Sequence, residues 1–223
     1  MALALAIFLV WQFCHLSLPP NGFHQWREFD TATVAENFYR ISWNILEPRV
    51  NMIGQNGGVV GMEFPIYNFA AALCYQFFGF SHLWPRLLTT LGALVYLYFL
   101  RRLSTKILMD SRAEPIVIIL ACSSPLLLFY GGKIMPDLWG LAASTAGTVW
   151  LMDYAEGRRS FRLFGISLAF CIAGLIKPQF LLVGLPIMVW LMRSERPARV
   201  LRQPSYWFIL FISLGVIASW FKH

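Results

Sequence analysis

Apolar runs of about 15–20 residues recur along the whole 223-residue chain, separated by short basic clusters. Runs of that length, repeated from end to end, constrain the chain to an all-α, polytopic transmembrane helical bundle. Composition agrees: 58% of residues are hydrophobic and 13% charged, where a soluble domain has about 45–50% and about 25%. The net charge of +7 does not signal nucleic acid, because the basic residues sit in loop-sized clusters between apolar runs, as in cytoplasmic loops. Cys14, Cys74, Cys122 and Cys171 lie in or beside apolar segments without a CxxC spacing and read as small buried hydrophobes.

Three basic clusters fix the orientation: Arg101, Arg102, Lys106 and Arg112; Arg158, Arg159 and Arg162; and Arg193, Arg196, Arg199 and Arg202. Placing all three inside requires an even number of crossings between consecutive clusters. The first interval gives spans near 114–131 and 136–153, broken at GGKIMPD; the second gives two short halves meeting at Lys177-Pro178. Residues 1–18 lack a basic start and a small-residue cleavage site, so they read as a retained first span. Residues 19–85 form a long outer loop, with a juxtamembrane or re-entrant helix over 66–79; the next crossing is 86–100, and a last span covers 206–221. The expectation is one module over 1–223, with about seven spans and a cytoplasmic N-terminus. Asp30, Glu63, Lys133, Asp137 and Lys177 then share the outer face.

The outer loop from Pro19 to Glu63 carries five of the chain's eleven acidic residues. From Thr31, the apolar residues Val34, Ala35, Phe38 and Ile41 predict a surface helix over 31–41, with Asp30 as its N-cap. Glu36 and Arg40, four apart, are placed to pair on its solvated side. Asn51–Pro65 is Gly-rich but lacks GxxxxGK[ST], so a turn or hairpin is expected there, not a phosphate loop. Glu63 is placed to cap the following helix or to reach a site. Lys133 and Asp137 flank a tight turn and either pair across it or serve a site; Lys177 either snorkels or serves a site. His15 and His24 have no zinc-ligand pattern around them.

In this order the motifs resemble membrane-embedded, polyprenyl-phosphate-sugar-dependent glycosyltransferases of the GT-C type. They are most similar to family 39, which contains lipid A aminoarabinose transferase and the protein O-mannosyltransferases. WREFDTATVAENF is similar to that family's acidic motif and AE-containing helix. Glu63-Phe64-Pro65, Phe78-Gly79, Arg101-Arg102, Pro136-Asp137 and AGLIKPQF match its later elements in sequence order. The acidic pair is reduced to Asp30-Thr31, and Phe64 stands where the family has lysine. The later spans are absent, so the resemblance implies the N-terminal part of a longer protein in a bacterial inner membrane.

The resemblance implies inverting transfer of a sugar from a polyprenyl-phosphate donor to a hydroxyl on a lipid, glycan or protein acceptor. Asp30, with Glu28 in reserve, would be the general base. Lys177, then Lys133, then Arg27 would stabilise the leaving phosphate. Glu63 and Asp137 would orient the acceptor, the cations or a divalent cation. Phe23, Trp26 and Tyr67 would cover the sugar. The rival readings are a carrier, which predicts internal repeats and charges at mid-span, and a non-catalytic lipid-carrier-binding subunit.

Overall fold

The structure, a computed structural model, describes residues 1–51, 56–110, 112–157, 162–194 and 197–222. Among these the chain is helical and contains no strand; a lone antiparallel bridge joins Arg49 to Val59. That bridge fits the expected hairpin, whose residues 52–55 lie outside the described residues, as do Arg158, Arg159 and Arg196 of the basic clusters.

The helices run α1 (Ala2–His15), α2 (Gln25–Arg40), α3 (Ile66–Phe78), α4 (Leu83–Leu108), α5 (Ala113–Cys122), α6 (Pro125–Tyr130), α7 (Asp137–Gly157) and α8 (Arg162–Ile176). A 3₁₀ segment (Pro178–Val183) leads into α9 (Gly184–Ser194), α10 (Pro197–Arg202) and α11 (Pro204–Lys222). Their boundaries follow local chemistry. Ser124-Pro125 divides α5 from α6, because proline cannot donate the next helical hydrogen bond. The same restriction at Pro178 ends α8 and leaves Lys177 extended (φ −157°, ψ 124°). Gly79, at φ +81°, ends α3 in a conformation costly for any residue with a Cβ.

Among the described residues, two helices, α4 and α11, are long and apolar enough to cross a membrane. The α11 helix is mostly exposed, with Phe208, Leu210, Phe211 and Leu214 on its open surface. The shorter apolar helices include α1, α5 and α8.

At the centre, α7 packs between α4 and α8. It is rich in Ser and Thr yet largely buried, and its hydroxyls turn back onto its own carbonyls: Thr145 onto Leu141 and Thr148 onto Ser144. Small residues let its neighbours close in. A Cβ on Gly140 would lie 2.3 Å from the Phe180 ring, so bulk there would force α7 away from the 3₁₀ segment. On the other side, α11 covers α8.

The α2–α3 pair packs over the start of α4, joined by buried polar groups. Asn68 Nδ2 donates to the Thr31 carbonyl (2.8 Å). The Tyr67 hydroxyl donates to the Pro85 carbonyl (2.7 Å) and lies 2.8 Å from Thr89 Oγ1. Asn68 and Tyr67 thus stitch α3 to α2 and α4. Burial drives the Tyr67 phenol above its ordinary pKa, although Thr89 opposes the shift.

Candidate functional site

The N-terminal half of α2 organises the charged end of the fold. Gly22, at φ +85°, turns the chain after the Pro19-Pro20 pair, and α2 starts three residues later behind His24. This corrects the expectation that Asp30 caps a helix over 31–41. The helix begins at Gln25, six residues before the expected start, so Asp30 lies inside it. The expected Glu36–Arg40 pair is present at 2.7 Å.

Glu28 is wholly buried. Its Oε2 accepts from the Asn21 backbone N–H (3.0 Å), and its Oε1 from that of Ile134 (3.1 Å). Two cations face the same carboxylate, Arg86 Nη2 at 3.5 Å and Lys133 Nζ at 3.7 Å. Arg86 is 2% exposed and spans two loops, donating to Leu18 and Pro19 carbonyls on one side and Gly132 on the other. Lys133 donates to both oxygens of Asn21 (2.6 and 3.0 Å) and lies over the Phe129 ring. Burial pushes its ammonium below the ordinary pKa, and Glu28 pulls the other way. Lys133 therefore does not pair with Asp137 across their turn.

Two further ion pairs involve α2, the loop before α3, the start of α7 and the residue after α8. Arg27 Nη2 pairs with Glu63 Oε1 at 2.7 Å, both half-buried, and Lys177 Nζ pairs with Asp137 Oδ1. The Phe64 N–H donates to the Leu175 carbonyl (3.0 Å), tying the residue after Glu63 to the end of α8 just before Lys177. Trp220 adds a bond to the Met62 carbonyl and an edge contact with Phe64. Each pair leaves a buried polar atom without a hydrogen bond, Arg27 Nε and Asp137 Oδ2. A buried donor and acceptor of this kind retain interaction capacity that a bound polar group can use.

Asp30 is exposed and has no ion pair or side-chain hydrogen bond among the described residues. It follows Arg27 by three positions, which puts both on one side of α2. Phe23 and Trp26 are exposed nearby on the chain, but Tyr67 is 3% exposed and its hydroxyl is committed to Pro85. Tyr67 therefore belongs to the interior, a correction to its expected place over a sugar. Among the described residues, no three His, Cys, Asp or Glu side chains gather as a metal site.

The residue that sequence reasoning missed is Arg86. It opens the crossing expected at 86–100, and an arginine at the outer end of an apolar run, opposite the basic clusters, is the signal in the sequence. Compared with protein-family models, curated proteins and solved structures, the chain matches none.

Proposed function

We propose that this chain is a membrane-embedded, inverting glycosyltransferase module that uses a polyprenyl-phosphate-linked sugar. The reading is supported by two ion pairs, Arg27–Glu63 and Asp137–Lys177, linked through the Phe64–Leu175 backbone bond, with the unpaired carboxylate of Asp30 one turn after Arg27 on α2. The membrane part is supported by α4 and α11, by the exposed apolar surface of α11, and by helices near the other expected spans. On this reading there are about seven spans, with α2 and α3 along the outer surface of a bacterial inner membrane.

In the reaction, Asp30 accepts the proton of an acceptor hydroxyl as its oxygen bonds to the anomeric carbon. The bond from that carbon to the phosphate oxygen breaks on the opposite face, inverting the centre, and the phosphate leaves with the bonding electrons. Lys177 and Arg27 meet its growing charge, held in position beforehand by Asp137 and Glu63. Glu28, whose carboxylate is already occupied by two backbone N–H groups and two cations, positions α2. A divalent cation would act beside Asp137 or Glu63.

The test is sugar transfer in reconstituted membranes from a panel of radiolabelled polyprenyl-phosphate sugars, comparing wild type with Lys177→Gln. Transfer from at least one donor, reduced in the variant, is the expected result. No transfer from any donor would overturn the enzyme reading in favour of a lipid-carrier-binding subunit.

A further inference from the structure

A cavity of about 410 Å³ lies on the other side of the Glu28 cluster, between the end of α1 and the loop after α6. Trp11, His15, Asn21, Phe129, Arg86 and Lys133 are on its wall; Glu28 is not. The carboxylate thus stands behind the two cations, and both cations border the open space. Two positive charges against one negative leave a net positive charge in a buried position. Such a charge is costly without a counter-ion, and the cavity is where one fits. Four of the five Arg86 N–H groups have acceptors, on Leu18, Pro19, Gly132 and Glu28, which leaves one donor.

The rim indicates where the anion comes from. His15 Nδ1 donates to the Trp11 carbonyl (2.7 Å), so its other ring nitrogen is uncommitted by that bond. Trp11, 49% exposed, is an amphipathic ring suited to lipid headgroup level, and Phe129, 38% exposed, adds apolar surface beside it. Gly22 lets the backbone bend around Lys133: a Cβ there would sit 3.4 Å from Nζ, and φ +85° disfavours one in any case.

We propose that this cavity binds a phosphate group, carried by a membrane-lipid headgroup, against Lys133 and Arg86. The site is separate from the Asp30–Lys177 region, and its charge arrangement stands whether or not the chain transfers sugar.

The test is native mass spectrometry of the delipidated full chain in detergent with short-chain phosphatidylglycerol, with diacylglycerol of the same chain length, and with inorganic phosphate. One retained equivalent of phosphatidylglycerol and none of diacylglycerol is expected. Lys133→Gln should weaken retention roughly tenfold or more, the loss expected for one charge-assisted contact. His15→Glu, which leaves the Glu28 cluster intact, should weaken it by repulsion and stands in if Lys133→Gln fails to fold. Retention of inorganic phosphate alone, lost in the same variants, would keep the phosphate site and reject the lipid source. Equal retention of diacylglycerol, no retention of either phosphate probe, or binding indifferent to both variants would overturn the proposal.

Discussion

The two ends of the helical bundle use the same ion-pair chemistry for different ends. Where α4 and α7 finish, Arg102 and Lys106 both reach Asp153, and Lys106 also reaches Glu156. These pairs join neighbouring helices, and none of the four side chains is fully buried. At the α2 end, Glu28, Arg86 and Lys133 are buried and tie together chain segments far apart in sequence. Exposed pairs contribute about 0–1 kcal/mol because water screens them. Removing one member of a buried group leaves an uncompensated charge and costs about 3–5 kcal/mol. The contrast teaches that charge count alone says little; the α2 end is the one where backbone loops and ions depend on each other.

The largest stability effect should therefore come from Glu28→Ala. It leaves Arg86 and Lys133 facing each other and should cost about 3–5 kcal/mol in reversible denaturant unfolding in detergent. A loss no larger than that of Arg102→Gln would remove the distinction between the two ends.

Next is Tyr67→Phe, which should cost about 1 kcal/mol by deleting the bonds to Pro85 and Thr89. It also carries a pH signature. The folded phenol titrates above its unfolded value of about 10, so the fold favours the neutral hydroxyl. Its contribution is complete below about pH 10 and declines as pH rises toward the folded value. Thermal unfolding from pH 9 to 11 should show a loss in wild type that is smaller in Tyr67→Phe; parallel curves would contradict this.

The smallest effect belongs to Arg102→Gln. Its Asp153 partner keeps Lys106, so unfolding should shift by less than about 1 kcal/mol.

Much of this architecture was legible in the sequence because apolar length and loop charge are local signals. The expected 66–79 helix is α3 and the break at Lys177-Pro178 bounds a helix, whereas the single span expected near 114–131 is divided at Ser124-Pro125 into α5 and α6 because proline cannot donate the next helical hydrogen bond. Among the described residues, only α4 and α11 meet the length and apolarity of a full crossing, since α5 and α8 are short and α7 carries Asp153, Glu156 and many hydroxyls. The pairings were less legible. Lys133 and Asp137, four residues apart, face different partners because the turn between them sends one toward Asn21 and Glu28 and the other into α7 beside Lys177. No spacing rule encodes that split. Nor does any local pattern tell Asp30, exposed, from Glu28, two residues earlier and wholly buried; the loops from Asn21 and Ile134 decide it.

The most direct measurement compares donor binding and sugar turnover in the same preparation of wild type and Asp30→Asn. Asp30 lies outside the buried cluster, so the variant should bind the polyprenyl-phosphate donor about as well as wild type while turnover falls about 10²–10⁴-fold, the range for loss of a general base. Turnover that survives the substitution would contradict the role given to this carboxylate and, with it, the reading of the α2 end as an active site.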